Sequence, residues 1–144
     1  MIVANIMTKK VHTVAPEEKL SELRAIFSQV NYRHLLVEEN DKLIGVVSDR
    51  DVLAHLSPFI DTGSERASDR SLLELRVREI MSNKLVTIDS GTLIDSASIL
   101  LLENHISCLP VVDAEMAIEG VISWKDILQY HVYGVDTTLQ GSPF

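Results

Sequence analysis

Residues 45–53 read GVVSDRDVL, and residues 120–128 read GVISWKDIL. Gly, Val, Ser, Asp and Leu recur in place, Val47 and Val52 become Ile122 and Ile127, and Arg50 becomes Lys125. Only Asp49 against Trp124 changes the kind of side chain. A nine-residue likeness can arise by chance, so collinearity is the stricter test. Ile6-Met7-Thr8 faces Ile80-Met81-Ser82 at an offset of 74, and Val11, Thr13, Val14, Leu20, Leu35 and Val37 face Leu85, Thr87, Ile88, Ile94, Leu109 and Val111 at the same offset. One additional residue near Met116–Ala117 moves the offset to 75, where Gly45 meets Gly120. The chain is therefore two copies of one supersecondary unit, which excludes most other folds of this size.

Each copy reads the same way locally. A short β-rich piece, VHTV or LVTI, leads into an amphipathic segment. Leu20, Leu23, Ile26, Phe27 and Val30 share one helical face in the first copy, with Pro16 near the first turn. Ile94, Ala97, Leu100 and Leu101 do so in the second, after Ser90-Gly91-Thr92. Two apolar runs follow, HLLVEE then KLIGVVS and CLPVVD then AIEGVIS, with the turns NDK and AEM placed to make hairpins. A second helix then starts at Ser48 or Ser123. The class is α/β (α+β), two pseudo-symmetric β-α-β-β-α units. Each unit alone would expose an apolar sheet face, so the two are expected to pack sheet to sheet.

The expected boundaries are 1–59 for the first unit, 60–78 for a linker, 79–133 for the second unit and 134–144 for a frayed tail. The linker begins as a loop with Pro58 and Gly63. Leu72, Leu73 and Leu75 then suggest a helical turn docked on the second unit.

With 144 residues, 46% of them hydrophobic, the chain can bury a core, and 5% aromatics make that core aliphatic. Thirteen basic residues against 21 acidic leave a net charge of −8, which opposes non-specific binding to nucleic acid or an anionic membrane. A small anion in a local pocket remains compatible. Cys108 has no partner for an internal disulfide, no secretory leader is evident, and no apolar run approaches a membrane span. A cytoplasmic protein is the default.

Ser48 with Asp51, and Ser123 with Asp126, have the spacing of a helix N-terminal capping pair. In that reading the Ser oxygen accepts from a free backbone N–H, and the Asp favours the positive end of the helix dipole. The same geometry suits a ligand. Free N–H groups and a hydroxyl fit a phosphate, a carboxylate one turn in can accept from a ribose diol, and the Gly just upstream would let a flat ring approach the strand. Cap and ligand site remain open alternatives, and one Ser-x-x-Asp pair can be both.

The repeat, the IM(T/S)…V-x-T start of each copy, RHLLV, SCLPVVD and the closing G-V-(V/I)-S-x-x-D together resemble a pair of CBS domains, over essentially residues 1–133. The resemblance implies a Bateman module of two units related by a pseudo-two-fold axis, dimerised into a disc, with clefts between units for AMP, ADP, ATP, NAD or S-adenosylmethionine. By position it implies that Asp51 and Asp126 are ribose carboxylates and that Ser48 and Ser123 lie near phosphate or ribose. It places Thr13 and Thr87 in the first strand beside the adenine, and Arg33 and His34 at a phosphate. Two departures stand out. Leu36 replaces the family's Pro in the first copy, and Ser107-Cys108 replaces Arg-His in the second. The second cleft therefore loses a cationic pair, although Lys125 and the stacking surface of Trp124 could compensate, and the first cleft is the better anion site.

No metal site is expected, because His105 with Cys108 supplies two ligands where zinc needs four, or three and water. No glycine-rich nucleotide loop and no nucleophile motif is present, so no catalytic residue is named and no cofactor is required. The expectation is a stand-alone, non-enzymatic sensor of an adenosyl ligand. It would form a homodimer and signal to an effector protein by population shift, without touching nucleic acid or membrane. The alternative is a ligand-free dimerisation scaffold.

Overall fold

In the computed structural model, which describes residues 1–134, strand β1 (Thr13–Val14) lies parallel to β2 (His34–Glu39), Thr13 opposite Leu36 and Val14 opposite Val37. β3 (Lys42–Ser48) completes the sheet in the order β1-β2-β3. Asn40 and Asp41, at φ 54° and 61°, form the two-residue hairpin between β2 and β3. Two consecutive left-handed residues match the twist of the strands, and Asn and Asp tolerate that region better than other side chains. Helix α1 (Leu20–Gln29) buries Leu20 and Leu23, with Ile26 and Phe27 packed partly against the same core. It starts four residues after Pro16, which therefore lies outside it. Helix α2 (Asp49–His55) follows β3 without a loop, capped by Ser48, and buries Val52.

The linker is mostly helical: α3 (Ala67–Ser71), a 3-10 turn over Leu72–Glu74, and α4 (Val77–Ile80). The expected turn at Leu72–Leu75 is there, but it docks on α1 of the first copy and not on the second. The Leu20 N–H donates to the Leu75 carbonyl at 2.7 Å, the Val77 N–H donates to the Glu18 carbonyl at 2.8 Å, and Val77 and Ile80 join the core of Leu20, Leu23, Leu35 and Val47. Asp61 adds ionic ties to Arg24 on α1 and to Arg70 on α3.

In the second copy, α5 (Ile94–Asn104) buries Ile94, Ala97 and Leu101 and ends at His105, whose left-handed φ of 54° closes the helix. Strands β4 (Cys108–Val112) and β5 (Ile118–Ser123) pair antiparallel, Val111 opposite Gly120, with a register shift between Val111 and Val112. The extra residue of this copy is absorbed in the turn, where Met116 takes φ 66° and the Asp113 carboxylate accepts from the Glu115 and Ala117 N–H groups. Helix α6 (Trp124–Tyr133) starts directly from β5, capped by Ser123.

The lead-in LVTI does not become a strand. It makes one parallel bridge, Ile88 to Val111, so Thr87 stands outside the sheet although Thr13 stands within it. Proline explains the difference. Where Leu36 faces Thr13 in the first copy, Pro110 stands in the second and has no N–H to extend the ladder.

Two compact units result, and neither follows the sequence repeat. Among the described residues, the Ser48 unit comprises 13–39 and 44–85; the Ser123 unit comprises 1–12, the hairpin tip 40–43 and 86–134. Each unit thus takes the segment IMT or IMS of the other copy. In the Ser123 unit Thr8 and Val121 exchange backbone hydrogen bonds of 2.8 and 2.9 Å; in the Ser48 unit Val46 and Ser82 do so at 3.0 and 2.9 Å. Val3, Ile6 and Met7 then share a core with Ile94, Leu109, Val111 and Ile122. The tail expected to fray lies, beyond Gly134, outside the described residues. Among the described residues no helix is long and apolar enough to cross a membrane.

Candidate functional site

Both Ser-x-x-Asp pairs are reciprocal caps. At α2 the Asp51 N–H donates to Ser48 Oγ at 3.1 Å, and the Ser48 N–H donates to Asp51 Oδ2 at 2.8 Å. At α6 the Asp126 N–H donates to Ser123 Oγ at 3.2 Å, and the Ser123 N–H donates to Asp126 Oδ2 at 2.9 Å. An extended residue before the first turn makes this possible: Ser48 has φ −111° and ψ 166°, Ser123 has φ −118° and ψ 164°. Capping alone does not use all of either carboxylate, and here the two copies diverge.

In the Ser48 unit, among the described residues, Asp51 Oδ1 accepts no hydrogen bond. Arg33 and His34 enter β2 beside this helix start. Arg33 Nη1 stands 3.5 Å from Asp49 Oδ2 with a largely exposed side chain, and the Asp49 N–H donates to the Arg33 carbonyl at 3.0 Å. His34 lies within the field of both Asp49 and Asp51. Burial pulls its pKa below the ordinary histidine value, the two carboxylates oppose that shift, and Arg33 adds to it. Thr13 lies in the neighbouring strand β1 and, among the described residues, makes no hydrogen bond to the Ser48–Asp51 pair. The local field is thus two carboxylates, one guanidinium and one partly buried imidazole at the start of a helix.

In the Ser123 unit the carboxylate is more fully used. Thr8 Oγ1 donates to Asp126 Oδ1 at 3.1 Å, and Ser123 Oγ adds a bond to Oδ2 at 3.1 Å. Burial raises the Asp126 pKa above the usual carboxylate value, against the pull of the Ser123 and Thr8 hydrogen bonds and the Lys125 charge. Lys125 and Trp124 are exposed on the first turn of α6, and the Trp124 N–H donates to the Ser107 carbonyl at 3.2 Å. Cys108, in the place of His34, is buried, and its thiol is pushed up to about 12 by desolvation. Thr87 belongs to this unit but lies off its sheet.

The glycines do not leave room for a ring. A Cβ on Gly45 would stand 2.5 Å from Met81 Sδ, and one on Gly120 would stand 2.7 Å from the Thr8 carbonyl oxygen. The chain's own IMT and IMS segments fill the space above these strands, and that contact is why glycine is needed there. Sequence reasoning also missed Thr8 and Asp49. The hydroxyl shared by Thr8 and Ser82 at matching positions was the available signal for the first; the Asp49–Trp124 mismatch was the signal for the second. Among the described residues no three His, Cys, Asp or Glu side chains converge to hold a metal.

The CBS domain profile matches residues 3–58 and 77–133. MJ1225 of Methanocaldococcus jannaschii is 26% identical over 130 residues, covering 90% of this chain and 46% of its own. Its crystal structure superposes with a TM-score of 0.79 at 25% identity, over 90% of this chain and 47% of that one. The inosine-5′-monophosphate dehydrogenase of Thermoplasma acidophilum is 30% identical over 123 residues, 85% of this chain and 22% of the enzyme. CBSX2, solved in complex with AMP, superposes with a TM-score of 0.76 at 25% identity, over 91% and 96% of the two chains. This chain spans about half the length of MJ1225 and under a quarter of the dehydrogenase.

Proposed function

Because this chain belongs to the CBS domain family, we propose that it is a cytoplasmic regulatory module that binds an adenosine-containing ligand (AMP, ADP, ATP, NAD or S-adenosylmethionine) at the starts of α2 and α6. The observation that carries the reading is the state of Asp51. Its Oδ2 is anchored to the Ser48 N–H at 2.8 Å, and its Oδ1 accepts nothing among the described residues. A carboxylate held in place on one side and open on the other is suited to a ribose diol. The AMP complex of CBSX2, a 25% identical neighbour, supports the same ligand class.

In this reading Asp51 and Asp126 take ribose hydroxyls, and Ser48 and Ser123 cap the helices beside them. Arg33 and His34 face the phosphate in the Ser48 unit, Lys125 offers the cation in the Ser123 unit, and Thr13 and Thr87 border the adenine. The ligand acts by favouring whichever arrangement of the protein binds it better, and an effector protein reads the shift. A thermal-shift screen across the five ligands tests this. A ligand present at about 100 times its dissociation constant adds roughly 2.7 kcal/mol of stability. No shift with any of them overturns the reading.

Exposed apolar side chains favour dimerisation alongside sensing. Leu128 and Val132 on α6, one turn apart, and Leu102 on α5 are each more than half exposed. A homodimer would cover them. A module that dimerises and binds no nucleotide is the scaffold alternative, which the same screen separates.

A further inference from the structure

We propose that Thr8 sets the ligand specificity of the Ser123 unit by occupying the Asp126 oxygen that a second ribose hydroxyl would take. The inference rests on the adenosyl reading above. An ionised carboxylate offers about four lone-pair positions. At Asp126 three are filled from within the protein, by the Ser123 N–H and Ser123 Oγ on Oδ2 and by Thr8 Oγ1 on Oδ1. At Asp51 one is filled, by the Ser48 N–H. Asp51 can therefore receive both hydroxyls of a ribose diol, and Asp126 has room for one.

Thr8 is not free to yield its bond. It is 6% exposed, so its hydroxyl cannot turn to bulk water, and its backbone is pinned to Val121 by two hydrogen bonds. A β-branched side chain on such a backbone has few χ1 choices. The matching residue of the other unit is Ser82, whose backbone is pinned to Val46 in the same way. Ser82 is exposed and, among the described residues, makes no hydrogen bond to Asp51. The two units thus share a backbone plan and differ in how much of the carboxylate the protein keeps for itself. The Ser48 unit should select a full ribose, and the Ser123 unit should tolerate a deoxyribose.

Calorimetry with adenosine, 2′-deoxyadenosine and 3′-deoxyadenosine reads this directly, with Asp126→Asn to isolate the Ser48 site and Asp51→Asn to isolate the Ser123 site. At the Ser48 site, loss of either hydroxyl should weaken binding about tenfold. At the Ser123 site, one of the two deoxy ligands should bind within about threefold of adenosine. Adding Thr8→Val should tighten adenosine there and restore the penalty for both hydroxyls, whereas Thr8→Ser should keep the tolerant pattern. Thr8→Ala serves if the valine protein melts early. A ligand-free readout accompanies these: the Asp126 carboxyl should titrate at higher pH in Thr8→Val, having lost a bond to its charged form. A full penalty for both hydroxyls with Thr8 present, or a pattern and affinity unchanged by Thr8→Val, overturns the inference while leaving the adenosyl reading intact. Absence of adenosine and AMP binding in the unaltered protein overturns both.

Discussion

Arg33 and Asp49 hold each other twice at the start of α2, through the 3.5 Å contact of their side chains and the 3.0 Å bond from the Asp49 N–H to the Arg33 carbonyl. The guanidinium that would meet a phosphate is thus already shared with a carboxylate. Asp49→Asn should release it and strengthen AMP binding by up to about fivefold, the upper end for an exposed pair. Arg33→Ala should weaken AMP instead. Adenosine, with no phosphate, should respond to neither. Calorimetry in low salt decides it, and equal effects on both ligands would mean that the pair supports the fold alone.

Asp51 is both cap and candidate ligand residue, and Asp51→Asn separates the two roles. Loss of the dipole partner should cost about 0.3–1 kcal/mol of stability. Loss of a charge-assisted bond to ribose should cost about 1.5–3 kcal/mol of binding, a roughly ten- to hundredfold drop. A lowered melting point with unchanged affinity for every adenosyl ligand would leave Asp51 a cap only.

Gly45 and Gly120 occupy equivalent positions but should not respond equally to alanine. At Gly120 the added carbon meets the Thr8 carbonyl at 2.7 Å, a backbone atom held in a ladder; at Gly45 the nearest atom is Met81 Sδ at 2.5 Å, the movable part of a long side chain, and the nearest backbone oxygen is at 3.1 Å. Gly120→Ala should destabilise by about 1–3 kcal/mol and Gly45→Ala by less. Denaturant melts of the two variants check the order, and the reverse order would refute the explanation.

His34 and Asp126 make opposite contributions to stability against pH. Burial lowers the native pKa of His34 from its ordinary 6.5, so its contribution is full above 6.5 and is lost as pH falls through the lower native value. Burial raises the native pKa of Asp126 above 3.8, so its contribution is full below 3.8 and is lost as pH rises through the native value. The melting temperature of the unaltered protein should fall below pH 6.5, and His34→Gln should flatten that fall. An identical pH profile in the variant would count against the assignment.

Leu128 and Val132 test the homodimer. Leu128→Glu places a charge on the apolar stripe of α6 and should yield a folded monomer at tens of micromolar in sedimentation. An unaltered protein that is itself monomeric at that concentration, with and without nucleotide, sinks the proposal.

Much of the fold was legible because it is local. The faces of α1 and α5 follow from apolar spacing, and Leu20, Leu23, Ile94, Ala97 and Leu101 are buried as that spacing requires. The Ser48 and Ser123 caps join groups three residues apart, so backbone geometry alone decides them. The short strand at Thr13 and its absence at Thr87 were also written in the chain, as Leu36 against Pro110, but the consequence appears only once the two strands lie side by side.

What the sequence by itself determined, then, is the repeat, the helix faces and the two helix starts. Only the tertiary structure decided which lead-in joins which copy. Ile6-Met7-Thr8 and Ile80-Met81-Ser82 are chemically near-equal and can each cross beside either glycine, so the local code is degenerate between two pairings. Packing broke the tie, setting Thr8 against Val121 and Ser82 against Val46. The same choice brought Thr8 to Asp126 across 118 residues of chain, a contact between side chains that no spacing rule connects.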